Sequence, residues 1–276
     1  MSETSRILDN LGPYKAHSPV AAFCDLSKRT FERFHDARGG SERSEETGRE
    51  HLLTRLAYIG ESTSTAVRLN VTWALSLPGM SLVRDRYEQA VRYSWLARQP
   101  DNQEIAKYIG SYYAKANKIF RGISTSIRDE LDKAIKLEEW MTETPTKEQR
   151  HYLERWESLD LASMAKKRDE LPSKIAGKVA AETLADLYGP IYQQFSSVSH
   201  GDMYAARMLG LHPAPTGQFV LAPDPFWPAM LCCYNALFDL IQCHESLAMF
   251  AEPGGQPTFD DLFIEWREIS DHVSRL

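Results

Sequence analysis

The sequence predicts an all-α protein, a multi-helix bundle with a projecting charged helical hairpin. Apolar residues recur at helical spacing from one end of the chain to the other. Alternating apolar and polar runs bounded by hairpin turns are missing, apart from the short stretch 218–221. No period of roughly 20 to 50 residues repeats, which argues against a solenoid. A helical bundle is the remaining architecture.

The first two helices are marked by their end signals. Ser18 followed by Pro19 is a helix-start pair, and Gly39 with Gly40 is a stop signal, so the first helix should occupy the residues between them. A polar linker, 39–48, follows. The second helix is predicted from about Arg49 to Leu77, where Pro78 and Gly79 should end it, and a third from about Ser81 to Arg98.

The middle of the chain is strongly charged. Asp101 and Glu104 have the spacing of a capping box, which predicts a helix from there to about residue 122. Residues 126–171 carry only a thin apolar stripe and a break at 142–145, which predicts a hairpin that projects from the core. Two interpretations of the hairpin stay open: an arm for dimerisation or a partner, and a solvent-exposed decoration.

The last third of the chain predicts four further helices. The first should run from Pro172 to Tyr188 and stop at a Gly-Pro break, and a short helix should then reach about His200. A Pro-rich loop, 212–225, precedes an apolar, buried helix, and Asp261 lies near the start of a final amphipathic helix. These elements predict one domain over 1–276, with a core at about 17–122 and 172–276 and the hairpin inserted at about 123–171.

Charge and composition exclude several classes. The net charge of −6 argues against binding of duplex nucleic acid by bulk electrostatics. The amino terminus lacks a basic region followed by an apolar run, and the most apolar segment, 226–241, is shorter than the roughly 20 residues that cross a bilayer. We therefore expect a cytoplasmic protein with no membrane contact. The cysteines lack a C-x-x-C pair and should be reduced, buried thiols: Cys24, Cys232, Cys233 and Cys243.

Common catalytic and cofactor motifs are absent from the sequence. There is no phosphate-binding G-x-x-x-x-G-K-[ST], no G-x-G-x-x-G after a strand, no H-E-x-x-H and no G-x-S-x-G. A ferritin-like di-metal site needs two Glu-x-x-His elements, and only Glu32 with His35 has that spacing. We therefore expect no cofactor and no metal.

One polar constellation points to a functional site. Tyr192, Ser196 and His200 recur every four residues, which places a phenol, a hydroxyl and an imidazole on one helix face, and Asp202 follows. Such a row can supply a general acid or base. The alternative is that His200 ends a helix, where a cation meets the carboxyl-terminal dipole, while the other two fill a packed seam.

A second polar pair lies on the third predicted helix. Arg84 and Glu88 are four residues apart among apolar positions, and charges in such a setting need partners. They form either an intrahelical ion pair or a buried polar site that faces the His200 helix across the bundle. Both interpretations stay open.

The segment 52–96, with the run Leu82 to Glu88 at its centre, resembles a family of uncharacterised bacterial helical proteins, domain of unknown function 5677. That family carries an Arg-x-x-x-Glu helix and a later Tyr-x-x-x-Tyr-x-x-x-Ser-x-x-x-His helix. The resemblance covers roughly residues 50–210, and the matching positions are Arg84, Glu88, Tyr188, Tyr192, Ser196 and His200. Gly201 and Asp202 depart from the usual residues after the His. The resemblance implies the fold and the site position but no established activity.

A remoter similarity is to HEPN domains, helical bundles that include ribonuclease toxins with an Arg, four to six residues, then a His. Three pairs have that spacing, which is close to chance for 8 His residues: Arg29 with His35, Arg207 with His212, and Arg267 with His272.

The sequence thus carries three functional hypotheses. The first is a stress- or phage-defence-associated protein whose cleft, made by the polar residues above, binds a small or phosphate-bearing ligand such as a nucleotide. If this site is catalytic, His200 is the acid or base, Arg84 stabilises negative charge and Glu88 orients Arg84, while Tyr188 and Asp202 join the ligand contacts. The second is a non-enzymatic module for homodimerisation or protein interaction. The third is a HEPN-type ribonuclease toxin. Whether the protein is an enzyme stays open.

Overall fold

The computed structural model describes residues 18–39, 48–73, 75–105, 107–108, 159–199, 211–213, 219–221, 226–250 and 259–273. They fall into two compact units, one of 1–98 with 164–276 and one of 99–163. The α-helices are α1 Ser18–Gly39, α2 Gly48–Thr72, α3 Ser76–Arg98, α4 Leu161–Glu170, α5 Gln194–Ser199, α6 Phe226–Phe250 and α7 Asp260–Val273. The fold is the all-α multi-helix bundle that the sequence predicts.

Helix α6 is the centre of the first unit. Helices α1, α2, α3 and α7 all pack against it, and its residues 235–247 are buried without interruption. The apolar run that the sequence marks as a core helix is confirmed as such. Helix α1 also begins and ends where its Ser-Pro and Gly-Gly signals predict.

The boundary between α2 and α3 differs from the predicted one. Helix α2 ends at Thr72, and α3 begins at Ser76, so Pro78 and Gly79 lie in the first turn of α3 rather than in a break. A proline fits there because first-turn amides have no partner within the helix. Gly79 packs closely against α6, since a Cβ at this position would lie 3.2 Å from the side chain of Leu231.

The predicted helix from Pro172 to Tyr188 is wrong. Only a 3₁₀ turn, Val179–Ala181, interrupts an irregular segment, which we call the strap (171–187). Its carbonyls accept hydrogen bonds from a buried side chain instead of helical amides: the Arg98 guanidinium donates to the carbonyls of Leu171 at 2.8 Å and Ala180 at 3.0 Å. Side-chain donors thus take some of the strap carbonyls, while isolated three-residue backbone turns remain in place of a continuous helical ladder.

The predicted break at Gly189 and Pro190 is also wrong. The chain continues through both residues as a π-helix, Tyr188–Gln193, and then as α5. The Gln194 amide donates to the carbonyl of Gly189, which is the wide spacing of a π turn. The row of Tyr and Ser therefore starts in a π-helical turn.

A buried polar network lies where α1, α2, α3 and α6 meet. The Asp239 carboxylate accepts from Arg86 at 2.9 Å, from Ser64 at 2.6 Å, from Asn235 at 3.2 Å and from Ser27. The Arg86 and Asp239 side chains are both 0% exposed. Because buried charges are costly unless paired and hydrogen-bonded, this network fixes the register of four helices.

The remaining predictions have varied outcomes. All four cysteines are buried and unbridged, as predicted. A short antiparallel ladder pairs strand β1, Leu211–Pro213, with β2, Phe219–Leu221. In the part of the chain that the structure describes, no helix is long and apolar enough to cross a membrane. Of the predicted charged hairpin, the structure describes only residues 159–171, which contain α4. The rest of the hairpin lies outside the described residues, and its boundaries stay a prediction.

Candidate functional site

Arg84 and two tyrosines come together on one side of α3. The Arg84 guanidinium carbon lies 4.8 Å from the ring centroid of Tyr192, and its Nη2 donates to the Tyr192 hydroxyl at 3.4 Å. The rings of Tyr192 and Tyr188 are stacked, with centroids 5.2 Å apart and planes 20° apart. We call this group the Arg-Tyr-Tyr site. It joins residues more than a hundred positions apart in the sequence.

Tyr87 fixes the π-helix against α3. Its hydroxyl donates to the Leu184 carbonyl at 2.8 Å, and its ring contacts both Tyr192 and the core ring of Phe238. Burial raises the pKa of Tyr87 well above its usual range, so the hydroxyl stays a donor. No role was predicted for Tyr87, although its place between Arg84 and Glu88 on an otherwise apolar face was a usable signal.

Arg84 forms no close ion pair, unlike its neighbours, although the carboxylates of Asp85 and Glu88 act on it at longer range. On the same helix Arg92 bonds to Glu88, Arg86 to Asp239 and Arg98 to Glu245. No carboxylate of the described residues forms an ion pair with Arg84. The pKa of Arg84 is raised chiefly by its hydrogen bond to Tyr192, and its Nε is buried without a hydrogen-bond partner.

Glu88 does not orient Arg84 as the sequence suggested. Its carboxylate accepts from Arg92 at 2.5 Å and 3.0 Å. Both arginines are four residues from Glu88, but a Glu that precedes its basic partner is the better orientation in a helix. The intrahelical pair is therefore Glu88 with Arg92, and the Arg84 guanidinium turns to Tyr192.

The other predicted site residues stand as follows. Ser196 is half-buried, and its hydroxyl donates to the Tyr192 carbonyl of the preceding π-helix at 2.6 Å. His200 and Asp202 lie outside the described residues. The structure thus brings together Arg84, Tyr188 and Tyr192, with Ser196 one turn along, while the contribution of His200 and Asp202 stays a prediction.

The arginines of the HEPN-type pairs are engaged with carboxylates where the structure describes them. Arg29 bonds to Asp25 and Glu265, and Arg267 bonds to Glu182. Arg207 is outside the described residues. Among the residues that are described, no group of three or more His, Cys, Asp or Glu side chains could hold a metal ion.

A cavity of about 330 Å³ lies between the end of α4 and the strap, lined in part by Arg98, Arg168 and Asp169. The polar groups around it are already used by the fold. Arg98 donates to strap carbonyls and to Glu245, and Asp169 accepts from Arg168 and from strap amides. The Arg-Tyr-Tyr site, whose cation forms no ion pair with a described carboxylate, is the stronger candidate.

Comparison with known proteins agrees with the resemblance read from the sequence. A family model described as a family of unknown function (DUF5677) matches residues 50–213. That range contains α2 from its third residue, α3, the strap and the whole Arg-Tyr-Tyr site, but neither α1 nor α6. No curated protein and no solved structure matches the chain.

Proposed function

The chain belongs to the family of unknown function DUF5677, and we propose from its own side chains that it binds a small anion, a phosphate-bearing one, at the Arg-Tyr-Tyr site. The observation that carries the proposal is that Arg84 forms no ion pair with a described carboxylate. A half-buried guanidinium is held on an aromatic ring rather than by a carboxylate. An anionic ligand would give this guanidinium the hydrogen-bonded anionic partner that no described carboxylate provides, since Asp85 and Glu88 act on it only at longer range.

The neighbouring groups favour an oxyanion as the ligand. A guanidinium presents its N–H groups in a planar fork that matches phosphate oxygens. The hydroxyl of Tyr192 lies beside that fork. The ring of Tyr188 stacks on the ring of Tyr192, with the two planes 20° apart. A phosphate at Arg84 would therefore have the phenolic O–H of Tyr192 as a donor beside the guanidinium. Stacking on Tyr192 also limits the orientations of the guanidinium, so less rotamer entropy is lost on binding.

A phosphate titration tests the proposal. Inorganic phosphate and adenosine monophosphate are titrated by calorimetry into the wild-type chain, Arg84→Ala and Arg33→Ala. Loss of a charged hydrogen bond should weaken binding by about 10- to 100-fold in Arg84→Ala. Arg33→Ala is the matched control, because it removes one positive charge at a pair with Asp261 on other helices. Equal binding by the wild type and Arg84→Ala would refute the proposal.

Two further variants separate the contributions of the site. Tyr192→Phe keeps the ring under the guanidinium but removes the hydroxyl, so binding should fall by only about 2- to 10-fold. Glu88→Gln should leave binding unchanged or strengthen it slightly, because the Glu88 carboxylate bonds to Arg92 and not to Arg84. A large loss in Glu88→Gln would mean that this carboxylate belongs to the binding site.

A second candidate function is catalysis on the same ligand. Helix α5 carries Ser196 of the predicted row and ends at Ser199, the residue before His200. In this proposal His200 acts as general acid or base while Arg84 stabilises negative charge that develops on the bound anion. His200→Gln would then abolish turnover of the bound ligand and leave phosphate binding intact. A protein that only binds the ligand would show no turnover in the wild type either. Homodimerisation, the interaction-module alternative, the HEPN-type alternative and a link to stress or phage defence remain predictions.

A further inference from the structure

We infer that Asp169 is a positioning residue for the Arg-Tyr-Tyr site: its carboxylate holds the turn that delivers Tyr188 and Tyr192 to Arg84. Asp169 is the ninth residue of α4 and precedes the strap. Only the ligand-binding part of this inference rests on the proposed function. The geometric part stands on contacts within the chain.

The Asp169 carboxylate caps the start of the turn from outside it. It accepts from the Leu184 amide at 3.0 Å and from the Ala185 amide at 2.8 Å. The turn then continues directly into the π-helix, since the Tyr188 amide donates to the Ala185 carbonyl at 3.2 Å. Asp169 thus does for the first amides of this turn what an N-cap side chain does for a helix, although it is fifteen residues away.

The same turn is held from the opposite side by the site helix. The Leu184 amide donates to Asp169, and the Leu184 carbonyl accepts from the hydroxyl of Tyr87. Tyr87 lies on α3 three positions from Arg84. Both backbone polar groups of one buried residue are therefore fixed by side chains, one from α4 and one from α3.

Asp169 is itself held by a buried arginine. Arg168 Nη1 lies 2.8 Å from the Asp169 carboxylate, and Arg168 Nε donates to Ser94 Oγ at 2.7 Å. Ser94 is on α3, ten residues after Arg84, which is about 15 Å along the helix axis. Helix α3 therefore carries both the cation of the site and the anchor of the residue that positions its tyrosines.

Removal of the Asp169 carboxylate should release the turn without removing any group from the Arg-Tyr-Tyr site. In Asp169→Ala we expect amide hydrogen exchange at 184–188 to rise by about 10- to 100-fold, the worth of charge-assisted hydrogen bonds. Exchange in α6 should change little. Phosphate binding should weaken at least about tenfold, because Tyr188 and Tyr192 are no longer held on the guanidinium.

The conservative variant separates positioning from stability. Asp169→Asn keeps a carbonyl oxygen that can accept from the two amides but loses the ion pair with Arg168. Exchange protection at 184–188 and phosphate affinity should therefore return towards wild type while the urea midpoint stays lowered. A purely structural role would leave the binding of both variants in step with their stability. If Asp169→Ala does not fold, Asp169→Ser takes its place in the comparison with Asp169→Asn.

Asp160→Ala is the matched control. Asp160 lies at the other end of the same helix, where it accepts from the amide and hydroxyl of Ser163, and its loss should leave both readouts unchanged. Unaltered exchange at 184–188 in Asp169→Ala overturns the inference. If the wild type binds no phosphate, the proposed function fails, and the exchange experiment alone decides the role of Asp169.

Discussion

Removal of the Asp239 carboxylate should be among the most destabilising single changes in this chain. Asp239 lies on α6 and is fully buried, and it is the anionic partner of the equally buried Arg86 on α3. In Asp239→Ala the guanidinium keeps its bonds to Gln242 and Gln89 but has no negative charge beside it. We therefore expect the unfolding free energy to fall by about 3–5 kcal/mol.

The double variant Arg86→Met with Asp239→Leu should cost less than either single change. It removes both charges, and the remaining polar groups can satisfy one another: Ser27 lies 3.3 Å from Ser64, and Asn235 donates to Ser64 at 2.8 Å. Apolar replacement of a buried ion pair is often neutral. A coupling free energy of at least about 2 kcal/mol should separate the double variant from the sum of the singles.

Urea unfolding followed by circular dichroism measures all three variants. Asp36→Ala, at an exposed carboxylate on α1, is the control and should shift the unfolding free energy by less than about 0.5 kcal/mol. The reasoning is refuted if Asp239→Ala costs under about 1 kcal/mol, or if the double variant is as unstable as the two single changes added together.

Two further predictions concern packing and pH. Gly60→Ala should cost about 1–3 kcal/mol in urea unfolding, because a Cβ there would lie 2.8 Å from the Arg86 guanidinium. Gly189→Ala should cost less, because beyond its own chain neighbours and helix backbone its Cβ would meet no atom nearer than 3.9 Å, and only the following Pro190 crowds it. Equal costs would contradict this prediction. Burial lowers the pKa of His244 from 6.5, so this side chain binds a proton more readily in the unfolded chain than in the folded one. The stability that the neutral ring contributes is therefore present above pH 6.5 and is lost as the pH falls below that value. His244→Gln should therefore flatten the fall of the urea midpoint below pH 6.5, and an unchanged slope would show that other groups cause it.

The sequence predicted the helices whose end signals act locally. The Ser-Pro start and Gly-Gly stop of α1 do not depend on the rest of the fold, because capping and glycine effects extend over a few residues. The boundary at residues 73–79 was wrong because Pro78 is compatible with both an end and a first turn. In the structure Gly79 packs closely on Leu231, and a contact between segments so far apart in the chain is not visible in local pattern.

The strap could not be predicted from local pattern. Its segment has helical composition, but Arg98 and Arg168 take its carbonyls and Asp169 takes its amides. Such tertiary hydrogen bonds compete with the helical ladder and are invisible to periodicity. The charges of Arg98 and Asp169, seventy-one positions apart, give no sign in the sequence that they act on one segment.

For the site, spacing predicted that Tyr192 and Ser196 share one helix face, and the position of Arg84 among apolar residues of the third predicted helix suggested a polar site with them across the bundle. The partner of Glu88 was missed, although helix orientation rules favour Arg92. The buried network was missed as well. Its signal was present, since Asn235, Asp239 and Gln242 are spaced to form a polar line along an otherwise apolar helix.

The central place of α6 has a consequence for synthesis of the chain. Ser27 and Asp239 are 212 positions apart, so the ribosome adds the intervening residues for roughly 10 to 40 seconds before the first helix can meet its partner. During that interval the apolar faces of α1, α2 and α3 have no α6 to cover them and are open to chaperones or to aggregation. A fragment cut at the ends of the family match, 50–213, would carry the Arg-Tyr-Tyr site. Because it lacks α6, the apolar faces of α2 and α3 would stay uncovered in it.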